Sequence, residues 1–246
     1  MTLPDALAIE VQTVQAVEAV HEDEHLLVLK KPAGLLCVPG RGLDKQDCLS
    51  ARAQQRWPGA LIVHRLDQAT SGLVLMARHI DMLRRLSHAF AERQVHKRYQ
   101  AVVQGLLGED LAPDGPKDKD PQYNGQDDTE NGTWNTVDLP IAADWERRPL
   151  RVIDHATGKP SLTRWRAVAH DRAAGTTHLQ LEPVTGRTHQ LRVHMAAIGH
   201  PILGDALYGD ATSQALSPRL LLHASHLALE HPALGEWVQW VWDADF

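Results

Sequence analysis

Asp67 sits in the run His64-Arg65-Leu66-Asp67-Gln68-Ala69-Thr70-Ser71-Gly72, between an arginine and a Thr-Ser-Gly turn. The apolar stretch Leu73-Val74-Leu75-Met76-Ala77 follows at once and reads as a buried strand. A carboxylate at the end of such a strand is poorly solvated, so it must be paired, protonated or put to chemical use. An Asp in this setting can also do no more than accept turn hydrogen bonds. The rest of the chain has to decide between these roles.

Three further clusters could carry chemistry. Lys97-Arg98-Tyr99 places an aromatic ring beside two cations at the entry of a strand. Gly186-Arg187-Thr188-His189-Gln190-Leu191-Arg192-Val193-His194 reads as a Gly-Arg turn opening a helix, whose first amides favour anions. On that helix Thr188, Arg192 and Met195 share a face, with a solvated basic face as the plain alternative for Arg187 and Arg192. The fourth cluster runs from Gly199-His200-Pro201 to Asp205 and on to Tyr208-Gly209. The 15 histidines invite a metal reading. However, His189 and His194 are too far apart to share a face as a zinc pair does, and His223 and His226 fall in or beside a predicted strand. No metal site is expected.

These clusters need elements to hold them. Val14 to Val20 and Leu26 to Leu29 read as strands, the second ended by Lys30-Lys31-Pro32-Ala33-Gly34. A short helix is expected through about Arg56, capped by Asp47, and a second from Asp81 to about Gln94, capped by Asp81. Leu61 to Val63, Tyr99 to Val103, Ser161 to His170, Thr177 to Glu182, Leu220 to Leu222 and Trp237 to Trp242 read as strands. A helix is expected from Thr188 to Ile198, stopped by Gly199. Hairpins dominate and regular βαβ alternation is lacking, so the fold class is mixed α/β, of the α+β kind.

Composition sets the outer bounds. The 246 residues, 43% of them hydrophobic, suffice for one sizeable domain. No membrane span and no secretory signal are visible, and Cys37 and Cys48 suggest no disulfide framework, so a cytoplasmic protein is expected. The net charge of −6 is concentrated in residues 105–135, where Glu109, Asp110, Asp114, Asp118, Asp120, Asp127, Asp128 and Glu130 face only Lys117 and Lys119. That stretch reads as a long acidic loop. The remainder is neutral overall, with room for a locally basic cleft.

The segments His64–Gly72, Lys97-x-Tyr99, Gly186–His194, Gly199–Asp205 and Arg219-Leu220-Leu221-Leu222-His223-Ala224 together resemble the RluA family of pseudouridine synthases, in the family's order across nearly the whole chain. Lys31-Pro32-Ala33-Gly34-Leu35-Leu36-x-Val38-Pro39-Gly40-Arg41 and Asp144-Trp145 through Gly158-Lys159-Pro160 look most like its dual-specificity branch, which lacks the S4 RNA-binding domain. No room for that domain is visible here. The resemblance implies a single catalytic domain over residues 1–246, with a largely antiparallel sheet split into two halves, flanking helices and a central active-site cleft. It implies isomerisation of uridine in RNA, with no cofactor, no metal and no obligate protein partner. The substrates would be a tRNA anticodon stem-loop and a 23S rRNA hairpin. Rival readings are a relative acting on another single tRNA or rRNA uridine, an RNA-binding chaperone with an idle site, and, more distantly, a metal-dependent nuclease.

By the same resemblance Asp67 is the catalytic carboxylate. Arg192 is expected to pair with it and favour its charged form. Tyr99 is expected to stack on the target uracil and to be a candidate acceptor for its C5 proton. Arg65 is the candidate to fill the place of the flipped nucleotide. Lys30, Lys31, Arg41 and Arg187 are expected to bind phosphates. Leu222 is expected to wall the uracil pocket.

Overall fold

Leu26-Leu27-Val28-Leu29 and Ser71 to Ala77 have apolar residues on both strand faces, and both segments are buried on both sides in the centre of one large sheet. The computed structural model describes residues 17–108 and 134–246. Most of the acidic stretch, 109–133, and the expected strand start at Val14 lie outside the described residues.

In chain order the elements are β1 (Ala19–Glu22), β2 (Leu26–Lys31), α1 (Leu49–Arg56), β3 (Leu61–Ile62), β4 (Ser71–Ala77), α2 (Ile80–Ala91), β5 (His96–Gln104), β6 (Asn135–Asp138), β7 (Ile141–Ala143) and β8 (Arg151–Ile153). There follow β9 (Leu162–Asp171), β10 (Thr176–Pro183), α3 (Gln190–Ala197), α4 (Ala211–Ala215), β11 (Leu222–Glu230) and β12 (Trp237–Val241). The main sheet runs β1-β2-β4-β11-β5-β10-β9-β6, with β3 beside β4 and β12 beside β11, while β7 and β8 form a separate hairpin. Every pairing is antiparallel except that of β11 with β4.

That parallel pairing is where the sheet forks. It consists of His223 opposite Ser71 and Ala224 opposite Gly72, after which β11 leaves β4 and takes β12 as its neighbour from His226 to Glu230. Two half-sheets therefore meet on one strand, each with its own apolar packing. Leu27, Leu29, Leu49, Trp57, Val74 and Met76 fill one side of the first half, and Leu26, Val28, Leu73, Leu75, Met82 and Leu86 the other. Ala101, Val103, Leu179, Leu181, Leu191 and Met195 fill the second half beneath α3. His223 ties the fork. Its Nε2–H donates to the Trp242 carbonyl at 2.7 Å, which leaves Nδ1 to accept from Ser71 Oγ at 2.8 Å.

The mixed, largely antiparallel architecture expected from sequence is the one observed. Several boundaries differ, each for a local reason. Leu49 N–H bonds to the Leu36 carbonyl at 2.7 Å, so the chain enters α1 only at Cys48, whose Sγ accepts from Ala51 N–H. Asp47, expected as the cap, instead forks onto Arg52 at 2.6 Å. His79 caps α2 through Met82 N–H, and Asp81 lies inside the helix beside Arg84. Helix α3 begins at Gln190 rather than Thr188, because His189 is left-handed at φ 58°. The Gln190 side chain is buried and draws Arg187 N–H (3.0 Å), Thr185 Oγ1 (2.7 Å) and the Leu162 carbonyl (2.9 Å) around itself. Thr188 consequently leaves the helix and stands exposed, and the expected Thr188–Arg192–Met195 face does not form. Strand β11 starts at Leu222, since Leu221 is held by Leu203 and Val102 outside any regular ladder.

Gly72 is what allows the fork. At φ 127°, a Cβ there would lie 2.4–2.6 Å from the backbone of Ala224. Backbone strain and overpacking on two strands that cannot yield add together. We expect Gly72→Ala to lower unfolding free energy in urea by about 3 kcal/mol or more. A loss within about 1 kcal/mol would mean that the two half-sheets are not held in this register.

Candidate active site

The Asp67 turn is built by clamping one loop onto another. Thr70 N–H closes the turn on the Asp67 carbonyl at 3.1 Å, Gly34 N–H reaches the Gln68 carbonyl at 2.8 Å, and Leu66 N–H donates to Cys37 Sγ at 3.2 Å. Lys31 completes the clamp. Its ammonium donates to the carbonyls of Pro32 (2.9 Å), Leu35 (2.7 Å) and Gln68 (3.0 Å), and the side chain is fully buried. Burial brings its pKa down to about 8. Lys31 is therefore a staple beneath the turn and not the phosphate ligand expected from sequence: all three of its donors are taken and no solvent reaches it. Lys30 is also misplaced in that expectation. It pairs with Glu18 and lies 5.2 Å from the Trp242 ring, in a separate depression that Asp67 does not line.

Asp67 projects where two cavities meet. One, of about 310 Å³, is lined by His64, Phe90, Lys97, Tyr99, Arg187 and Leu222 among others. The second, of about 700 Å³, lies between the Gly34–Gly40 loop and the Gly204–Leu207 turn. Arg65, Leu66, Asp67, His189 and Arg192 line both. The structure thus brings Asp67, Tyr99, Arg192, Arg65, Arg187 and Leu222 around one space. Leu222 is buried and Arg65 exposed, whereas Arg41 is exposed on the loop just past Gly40 and lines neither cavity.

Arg192 makes two ion pairs of different quality. Its Nε and Nη2 donate to the two oxygens of Asp205 at 2.8 and 2.6 Å, in a bidentate fork buried to 4% and 1% exposure. Its Nη1 lies at 3.4 Å from Asp67 Oδ2. The expected Arg192–Asp67 pairing is thus present as the longer of two contacts, and Asp205 is the stronger partner. Burial disfavours the guanidinium charge, but the Asp205 hydrogen bonds and charge outweigh it and move the pKa of Arg192 up.

Three members of the site carried no role in the sequence reading. Asp205 lies in the fourth cluster and is buried opposite Arg192. His189 Nε2 is 3.8 Å from Asp67 Oδ2, and its Nδ1 is 2.6 Å from the Tyr208 hydroxyl. Burial holds His189 below its ordinary pKa against the pull of Asp67. Tyr208 accepts from Arg151 N–H at 2.9 Å, and its ring lies 5.1 Å from the Arg192 guanidinium carbon. No local sequence signal marks His189; its left-handed entry to α3, at φ 58°, sets it on the wall of both cavities.

Tyr99, on β5, packs against the cores of both halves. Burial first, and the Asp67 charge second, push its phenol well above the ordinary range, so it is neutral at rest. His64 stacks on Phe90 with ring centroids 4.7 Å apart, and its Nε2 accepts from Leu75 N–H at 2.9 Å. An imidazolium has no lone pair for that bond. Among the described residues no cluster of His, Cys, Asp and Glu is placed to hold a metal, both cysteines are free and buried, and no helix is long and apolar enough to cross a membrane.

Residues 25–197 match the family model of RNA pseudouridylate synthases. The chain is 41% identical over 221 residues to the dual-specificity RNA pseudouridine synthase RluA of Pasteurella multocida, covering 90% of each chain. It is 40% identical over 226 residues to the enzyme of that name from Escherichia coli strain K12, covering 92% of each. Among solved structures it resembles human RNA pseudouridylate synthase domain containing 1, with TM-score 0.72 and 28% identity over 97% of this chain and 87% of that one.

Burial, with a smaller push from Lys97, holds His64 down to about pKa 3. The folded state therefore keeps it neutral while the unfolded chain takes up a proton. Its contribution is complete above the unfolded value of 6.5 and is lost progressively as pH falls toward 3. A His64→Gln variant retains an acceptor for Leu75 N–H without the proton uptake. Its urea stability should fall less steeply from pH 6.5 to pH 4 than that of the wild type, the gap reaching about 1–3 kcal/mol. Parallel curves for the two proteins would show that His64 does not titrate with unfolding.

Proposed function

Because the chain belongs to the RNA pseudouridylate synthase family and is thus an isomerase that converts uridine in RNA to pseudouridine, we propose that Asp67 is its catalytic carboxylate and Tyr99 the ring that receives the uracil. The observation that carries this assignment is the position of Asp67 at the mouth shared by two cavities, with Arg192 on one side and the Tyr99 wall on the other.

The reaction breaks the bond from ribose C1′ to uracil N1, turns the base, and joins C1′ to C5. C5 loses a proton and N1 gains one, so no electrons and no group enter or leave. An ionised carboxylate is needed whether it attacks the sugar, attacks the base or assists proton removal. Arg192 Nη1 faces that carboxylate at 3.4 Å, with the guanidinium direction fixed by the Asp205 fork. A neutral Tyr99 offers a flat face to the uracil and a hydroxyl that can relay the C5 proton. Leu222 and Phe90 supply apolar walls that keep water from a detached uracil. Arg65, exposed at the rim, fills the stack vacated by the flipped uridine, and Arg187 holds phosphate beside it. Arg41 lies one residue beyond the second cavity, where the continuing RNA strand would leave.

The substrates we propose are a tRNA anticodon stem-loop and a 23S rRNA hairpin, supported by identity to enzymes called dual-specificity. A cytoplasmic location and action as a single catalytic unit belong to the same proposal.

Tritium release from an anticodon stem-loop labelled at uridine C5 tests the assignment. The wild type should release label, and Asp67→Asn should fall by about a thousand-fold or more, equivalent to about 4 kcal/mol of barrier. Tyr99→Phe should bind the RNA within about threefold of wild type yet release little label. Normal release by Asp67→Asn would remove the carboxylate from the chemistry. Normal release by Tyr99→Phe would leave that ring with stacking alone.

A further inference from the structure

The cavity holding Asp67 continues past Lys97. Beyond that side chain lies a groove of about 400 Å³ between the end of α2 and strands β5, β9 and β10, and both spaces share Lys97 and Pro183 as wall. Arg93, Lys97, Arg98 and Arg164 line it against two carboxylates, Glu92 and Glu182. Glu182 is already engaged by Arg98 at 2.6 Å and Arg164 at 3.0 Å.

Lys97 has no hydrogen-bond or ion-pair partner among the described residues, and its ammonium lies 5.7 Å from the centroid of the Phe90 ring. A half-buried cation without an acceptor is unfavourable unless something anionic completes it. Arg93 adds an independent sign. The end of α2 is a Schellman turn, with Gln94 N–H on the Ala89 carbonyl at 2.8 Å and Arg93 N–H on that of Phe90 at 3.3 Å. The left-handed residue of such a turn is usually glycine, yet Arg93 occupies it at φ 59°. The other non-glycine residue with positive φ among those described is His189, which touches Asp67. Backbone strain retained at such positions points to use of the side chain.

Resting on the reading of the chain as an RNA isomerase, we propose that this groove is a second phosphodiester site. Lys97 and Arg93 would hold the backbone of the same RNA on the side of the target uridine away from the Gly34–Gly40 loop. The groove suits a backbone rather than a base: its lining is cationic, and the flat apolar faces lie in the catalytic cavity.

The test uses an RNA stem-loop that the wild-type protein isomerises, with KM, kcat and Kd followed through a potassium chloride series. Arg93→Gly should raise KM about three- to tenfold, leave kcat unchanged and reduce the slope of log Kd against log salt by about one. It should also raise the thermal midpoint, because glycine adopts the left-handed turn without strain. A merely structural arginine would not separate a gain in stability from a loss in binding. Lys97→Met should lower the salt slope by a similar amount. Unchanged slopes in both variants, with an active wild type, overturn the groove and leave the isomerase reading standing. Competition by millimolar inorganic phosphate as strong as that by the RNA itself would mark a free-anion site and overturn the backbone assignment. If the wild type isomerises no RNA, the parent reading falls and this inference falls with it.

Discussion

The buried fork between Arg192 and Asp205 is the constraint on which the site depends. Burying an ion pair costs desolvation that its Coulomb attraction seldom more than offsets, so such a pair is weak evidence for stability. What it supplies is direction. With Nε and Nη2 committed to Asp205, the guanidinium plane is fixed and Nη1 can face only the Asp67 carboxylate. A lone Arg192–Asp67 pair would be free to close into its own bidentate fork and cover both carboxylate oxygens. Sharing the arginine leaves Asp67 with one longer contact to it at 3.4 Å and a side chain still 21% exposed.

Asp67 and Arg192 come from elements far apart in the chain, and the forked sheet brings them together. Asp67 hangs from the first half-sheet through the turn into β4, while Arg192 sits on α3 over the second half. The halves join through two residue pairs on β11, reinforced by the Ser71–His223–Trp242 relay. A change of angle at this junction would move Asp67 relative to Arg192. Glycine at position 72, fitting against Ala224, and the Lys31 staple under the turn remove that freedom from both sides.

Much of this was legible in the sequence, and what was not has physical causes. Strand positions and the grouping of Asp67, Tyr99 and Arg192 followed from apolar runs and matched motifs, because burial leaves its mark on residue type. The role of Lys31 was hidden because an ammonium that staples three carbonyls and one that meets a phosphate have the same letter. Burial separates them, and burial is set by where Leu35 and Gln68 lie in space. The caps of α1 and α2 were misassigned to aspartates when Cys48 and His79 supply them, since neighbouring loops fix where the helix can begin. The start of α3 shifted because Gln190 spends its amide on Leu162 and Thr163, both on the facing strand. A local propensity contains no information about such partners.

The charge pattern also follows from the chemistry. A carboxylate at the centre of an RNA site repels every phosphate near it, so cations must be distributed around it without neutralising it. Arg65, Arg187 and Lys97 line the same cavity as Asp67, and none of them is hydrogen-bonded to it. Net charge could not reveal this, since −6 for the whole chain is set largely by residues 105–135. The field at Asp67 falls off within about 10 Å at ordinary salt. Over that range the neighbouring arginines and lysine, not the total charge, govern how an RNA backbone approaches. Two of the cations around Asp67 are held in place by other contacts: Arg192 by Asp205, and Arg187 by the Pro160 carbonyl at 3.3 Å.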